Sequence, residues 1–263
     1  MRRTAILAAK ELGDYFTSPI TYVLMAIFSG VAGFLFYNLT SFFALQCAQS
    51  IQYQADYGVK LPPMNANQWV VAPFFVNIAT VVLFLVPILT MRSYAGERNE
   101  GTAELMMTLP FRTGEIVAAK FVAALVLYTV FVGITAVFML ILNHYTQNGL
   151  DWGHIAAGYL GLLLMGAGII PIGQFISTLT KNQFVAAFVS FAVFLILWMV
   201  SWSTVFYYGT TAQILGTIGL SPHILNFTRG IVDSADIVYF ASLGAVGLFF
   251  TGLSLQMWRI MGA

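Results

Sequence analysis

Charge is what this sequence has least of: Asp, Glu, Lys and Arg supply 8% of its 263 residues, against about 25% in an ordinary soluble domain. A water-facing surface cannot be built from so few ionised groups, which excludes a soluble globular protein. The 11 basic residues are scattered singly against 10 acidic ones, so the electrostatic stripe that nucleic acid requires is missing. Cys47 is the single cysteine, which rules out an intrachain disulfide and any multi-cysteine metal site. Catalytic signatures are missing as well. Lys10, Lys60, Lys120 and Lys181 follow Ala, Val, Ala and Thr, whereas a phosphate-binding loop needs Gly-Lys followed by Ser or Thr. His144, His154 and His223 stand outside any His-Glu-x-x-His frame, and no Gly-x-Ser-x-Gly elbow is present. We therefore expect no catalytic residue, metal site or cofactor in this chain.

Apolar residues make up 59% of the sequence and its mean hydropathy is +0.85. A helix needs about 20 apolar residues to cross a bilayer, and six windows qualify, at 20–40, 70–91, 117–142, 155–179, 184–206 and 237–257. The expected fold is an all-α integral membrane protein, one domain over 1–263, with a six-span bundle over 20–257. Pro171 and Gly173 predict a kink in the fourth span, tolerated where neighbouring helices satisfy the backbone. Basic residues set orientation. Nine (Arg2, Arg3, Lys10, Arg92, Arg98, Arg112, Lys120, Lys181 and Arg259) fall on one side, and only Lys60 and Arg229 on the other. The first side is expected to be cytoplasmic, with both termini inside. No Asp, Glu, Lys or Arg lies away from the ends of a window, which counts against a proton- or sodium-coupled carrier. Asn77, Thr80, Gln174, Ser177 and Ser201 remain as polar groups in the spans, and their simplest role is interhelical hydrogen bonding.

Outside the spans, three segments carry pattern. Residues 1–19 read as an interfacial helix rather than a cleaved signal, because Lys10, Glu11 and Asp14 interrupt the apolar run after Ala9. Ala8, Leu12, Tyr15 and Phe16 would form its apolar face, and Lys10, Glu11 and Asp14 its polar one. On the outer side a polar loop is expected over 41–69. A semi-apolar stretch over 207–236 follows the fifth span, where Ser221-Pro222 reads as a helix start and Gly230 as its stop, giving an interfacial or re-entrant segment. The inner loop 92–116 holds the third. After Gly101, Thr102 suits an N-cap, Glu104 the first turn, Leu105, Met106 and Leu109 an apolar stripe, and Pro110 a stop. Physical chemistry alone leaves two readings open for this short amphipathic helix: a solvated, topology-anchoring face, or a docking element for a soluble partner.

The run Gly96-Glu97-Arg98-x-Glu100-Gly101-Thr102-x-Glu104-Leu105-Met106-x-x-Leu109-Pro110, followed by Glu115-Ile116-Val117 and Lys120-Phe121, resembles the inner loop of the type-two ABC-exporter permeases. The opening Ala9-Lys10-Glu11-Leu12-x-x-Tyr15-Phe16-x-Ser18-Pro19 is similar to that family's interfacial helix. Ser221-Pro222, Phe227, Arg229-Gly230, Val232-Asp233, Asp236 and Val238-Tyr239-Phe240 resemble its gliding-motility-associated branch.

The resemblance implies a non-catalytic permease subunit of an ATP-driven exporter in a bacterial inner membrane. It would pair with a second copy or a related permease, with separate ABC ATPase subunits holding ATP and Mg, and with lipid and an accessory envelope subunit as further partners. Glu97, Arg98, Glu100 and Glu104 would make polar contacts to the ATPase, Leu105, Met106 and Leu109 would enter its apolar groove, and the Lys181-Asn182 turn would add a second touch point. The competing readings are an envelope anchor or assembly subunit that moves no cargo, and an ATP-independent channel.

Overall fold

The computed structural model describes residues 2–58, 64–102, 111–146, 149–205 and 209–261. Among them there is no strand. Six helices are long and apolar enough to cross a membrane: Pro19–Tyr57, Asn67–Glu100, Thr113–Tyr145, Trp152–Leu179, Gln183–Trp202 and Ser234–Ile260. We number these spans 1 to 6 and call the end that carries the N-terminal helix Arg2–Thr17 the proximal end.

Local chemistry sets the ends. Pro19 sits in the first turn of span 1, where its missing N–H is no loss. Gly58 closes that helix at φ 67, its N–H donating to the Gln54 carbonyl. Between them the helix runs for 39 residues, about 58 Å at 1.5 Å per residue, against a hydrocarbon core of about 30 Å. The expected loop at 41–69 is therefore helical up to Tyr57. Polarity ends the apolar run near Thr40, but 41–57 contains neither Gly nor Pro, and Gln, Ala and Leu sustain a helix. Asp151 accepts from the backbone N–H of Gly153 and His154 to start span 4, and Asn182 caps span 5 through Phe184 and Val185.

Spans 2 and 4 form the centre, with 61% of their most apolar windows buried, whereas the figure for span 1 is 17%. The core joins Phe74, Phe75 and Ile78 of span 2 to Leu127, Tyr128 and Phe131 of span 3 and Leu162, Met165 and Ile169 of span 4. Small residues let these helices approach. A Cβ on Gly166 would lie 2.1 Å from the Tyr128 ring, and one on Gly247 of span 6 would lie 2.8 Å from the backbone of Pro171 and Ile172. Helix Trp152–Leu179 continues through Pro171 without interruption. Thr251 approaches the Pro171 carbonyl at 3.4 Å.

At the distal end, two short helices, Thr210–Ile218 and Leu220–Thr228, precede span 6. The second begins before Ser221-Pro222 rather than at it, and Gly230 follows at φ 80. Phe227 is fully buried against span 4, and Arg229 is exposed. Asp233 accepts from the Ala235 N–H at the start of span 6. Asp236 is buried, its carboxylate 2.6 Å from His223 Nδ1 and accepting from Asn226 at 2.9 Å.

Candidate functional site

Charge concentrates at the proximal end, where the N-terminal helix meets the ends of spans 2 to 6. Span 2 breaks after Thr90 and resumes as a short base helix, Ala95–Glu100, which Gly101 ends at φ 73. No side chain within the base helix caps its start. Ser177 of span 4 does so from across the bundle: its Oγ accepts from the N–H of Tyr94 and Ala95 at 3.2 and 3.0 Å while donating to the Met91 carbonyl. A cap supplied by another helix leaves no local signal, which is why the sequence showed a helix only after Gly101. Gly96 packs beside the Gln183 side chain of span 5.

Lys120 is the centre of the site. It lies within span 3 with its side chain 2% exposed, and its ammonium donates to Glu97 at 2.6 Å and to Glu11 at 3.1 Å. The Tyr94 ring centroid lies 5.3 Å from the same nitrogen. One buried cation thus joins the N-terminal helix, the base helix and span 3. Lys120, which the sequence counts among the nine basic residues of one side, has its side chain buried in the interior. One sequence expectation is corrected here. Glu11 belongs to the inward face of the N-terminal helix, with Ala8, Leu12, Tyr15 and Phe16, because it pairs with Lys120; its other oxygen lies 3.7 Å from the Lys10 ammonium, which makes its closer, exposed ion pair with Asp14 at 2.9 Å.

Tyr15 fastens the same helix to span 2, donating to the Leu89 carbonyl and lying 3.3 Å from Ser93 Oγ. Burial pushes its phenol above the ordinary range, and the Ser93 hydrogen bond offsets part of that shift. The hydroxyl therefore stays protonated and remains a donor at neutral pH. Arg98 donates to the Thr178 carbonyl of span 4 at 3.3 Å and its guanidinium lies 4.5 Å from the Trp258 ring of span 6.

Glu97 and Arg98 are thus engaged within the chain, and Glu100, Gly101 and Thr102 are exposed. Thr102 Oγ1 donates back to the Glu97 carbonyl, so it helps to close the base helix. Glu104, Leu105, Met106, Leu109 and Pro110 lie outside the described residues. The chain is fastened again just after them. Arg259 donates to the Phe111 carbonyl at 2.6 Å, and the Glu115 carboxylate accepts from the Arg112 N–H at 2.9 Å as span 3 begins. Lys181 and Asn182 are exposed at the same end, and the Asn182 side chain is occupied as the cap of span 5.

Within the spans, Ser177 makes the expected interhelical hydrogen bonds, whereas Asn77, Thr80 and Ser201 donate to carbonyls of their own helices. The Gln174 carboxamide is buried and has no hydrogen-bond partner. Among the described residues, no three His, Cys, Asp or Glu side chains are grouped to hold a metal.

No curated protein sequence matches the chain. The sequence model of the ABC-2 family transporter proteins matches residues 5–230, a stretch that takes in the N-terminal helix from residue 5 onward, the first five spans, the segment between spans 2 and 3 and the two short distal helices. With most of its length inside that match, the chain belongs to the ABC-2 family of transporter proteins.

Proposed function

We propose that this chain is the permease half of an ATP-driven exporter, coupled to separate ATPase subunits through residues 102–110. What carries the reading is the anchoring on both sides of that segment. Before it, Glu97 is bound to Lys120 of span 3 and Arg98 to spans 4 and 6. After it, Phe111 is held by Arg259 at the end of span 6. A segment that receives a push is useful only if its attachments are stiffer than the displacement, and buried ion pairs and close packing give that stiffness.

In this mechanism the ATPase pair binds Mg-ATP and closes, pressing on the amphipathic stripe of Leu105, Met106 and Leu109. Glu100 and Glu104 supply the polar contacts. Glu97 and Arg98, committed within the chain, pass the movement inward instead of touching the ATPase. Lys120 relays it to span 3 and the N-terminal helix, and Trp258 to span 6, which is seated on span 4 at Gly247. The proximal end then faces the cytoplasm of a bacterial inner membrane, and a second permease chain completes the path. The similarity of Ser221–Phe240 to the gliding-motility-associated branch favours a place among envelope assemblies.

The test is co-purification of the full chain from its native membrane in mild detergent. Wild type should bring down a Walker-motif ATPase whose turnover responds to cargo, and Glu104→Arg should release it or uncouple its turnover. Unchanged association and turnover in that variant would sink the assignment of the loop, and a cargo-blind ATPase would favour the anchor reading.

A further inference from the structure

A cavity of about 1330 Å³ opens at the distal end, between the far half of span 1, the start of span 2 and the junction of spans 3 and 4. Small-molecule pockets commonly measure about 300–1,000 Å³, so it has room for a chain-bearing ligand. Phe36, Phe43 and Ile51 line it from span 1, and Ile141, Leu142 and Tyr145 from span 3. The polar element is Asn67. It opens the π-helical turn Asn67–Val71 at the start of span 2 and is 5% exposed, and its Oδ1 is buried without a hydrogen-bond partner. Its backbone N–H is already satisfied by Asn65 Oδ1 at 2.9 Å, so the carboxamide oxygen is the acceptor left unpaired. A π turn within a helix often marks a functional site, and a buried acceptor left unpaired is costly unless something donates to it.

Charge at the site restricts what that donor belongs to. Asp151 is the one acidic or basic residue among the described lining residues, and its Oδ1 already accepts from Gly153 and His154. An anionic head would meet that carboxylate without a counter-ion among the described lining residues, whereas an uncharged hydroxyl or amide would complete Asn67. We propose that this cavity binds an uncharged amphiphile, its hydrocarbon chain along the Phe36, Phe43 and Ile141 wall and its hydroxyl or amide N–H donating to Asn67. This site does not depend on the ATPase coupling proposed above.

Cys47 provides the assay. It lines the same cavity, is half-buried with its Sγ 3.9 Å from Met64 Sδ, and is the only thiol in the sequence. The full chain would be placed in phosphatidylcholine nanodiscs and the rate of Cys47 alkylation by a bulky maleimide followed with added monoolein or with oleyl sulfate, which has a comparable chain and a permanent negative charge. Monoolein should slow alkylation in a saturable manner and oleyl sulfate should not. Asn67→Leu should raise the half-effective monoolein concentration about fivefold, the loss of one hydrogen bond. Ala48→Trp, filling the cavity from an exposed position on span 1, should make labelling insensitive to monoolein. Equal protection by both amphiphiles, protection by neither, or an unchanged monoolein response in Asn67→Leu would overturn the proposal. So would protection that needs no added amphiphile and rises with protein density, because a second copy of the chain would then be the occupant.

Discussion

Replacing Lys120 with Met removes the cation that two carboxylates share while keeping most of the side-chain volume. In the native protein the ammonium is 2% exposed and lies 2.6 Å from Glu97 and 3.1 Å from Glu11. The second Glu97 oxygen is already buried without a partner. Removing one member of a buried ion pair typically costs about 3–5 kcal/mol, because the partner is left uncompensated. Here the side chains of Glu11 and Glu97 are 12% and 21% exposed, so both keep some solvation, and Glu11 keeps the Lys10 ammonium at 3.7 Å; the expected loss is near the lower bound, about 3 kcal/mol. The combination of Lys120→Met with Glu11→Leu and Glu97→Leu removes all three charges and should recover most of that loss, since buried charge clusters exchanged for apolar side chains are often neutral in stability. Unfolding of the purified chain by SDS in mixed micelles, followed by tryptophan fluorescence, reads both variants. A Lys120→Met loss below about 0.5 kcal/mol, the range of an ordinary surface change, would refute the reasoning. So would a triple variant no more stable than the single one.

The same titration separates two buried tyrosines. Tyr128 donates to the Leu162 carbonyl at 2.8 Å, so Tyr128→Phe should cost about 1 kcal/mol. The Tyr94 hydroxyl is buried with no partner, so Tyr94→Phe should be neutral or stabilising, and a loss above about 1 kcal/mol would contradict its unpaired state. Gly247→Val should cost at least about 1–3 kcal/mol, because its Cβ meets span 4 backbone atoms at 2.8 Å that cannot rotate away; an unchanged midpoint would show that spans 4 and 6 are not so close. Ser177→Ala removes the acceptor for the Tyr94 and Ala95 N–H groups and should weaken the base helix by about 1 kcal/mol. Hydrogen exchange of residues 95–100 should speed up correspondingly, and unaltered exchange would mean that the cap is not what starts this helix.

The six spans were legible because each is a continuous apolar run longer than a bilayer requires, a signal that no tertiary contact overrides. The ends were less so. Span 1 continues to Tyr57 because the sequence turns polar without any residue that breaks a helix, and hydropathy reports solvent, not backbone. At the proximal end the chemistry was legible as a run of charges but its wiring was not. Glu11, Glu97 and Lys120 are separated by 86 and 23 positions in the chain, and nothing local states that they converge on one nitrogen. Glu11 lies at one-turn spacing from Ala8 and Tyr15, so its position fits the inward stripe, but its charge led the sequence reading to put it on the polar face. Lys120, one turn inside an apolar window, carried the only available hint, since a lysine there needs a buried partner. Ser177 was legible as an interhelical hydrogen-bonding group but not as a cap, and Asn67 gave no sign at all: capping from another helix and an unpaired carboxamide oxygen are properties of the assembled bundle.

The central claim is that the segment between the base helix and span 3 is where an ATPase subunit presses on this chain. Its most direct test replaces Leu105 with a photo-crosslinking amino acid in the native membrane, with Arg229 at the distal end substituted in parallel. Illumination should join Leu105 to a Walker-motif ATPase and leave the Arg229 position free of it. A crosslink to the ATPase from Arg229, or none from Leu105 in membranes from which the ATPase co-purifies, would contradict the account.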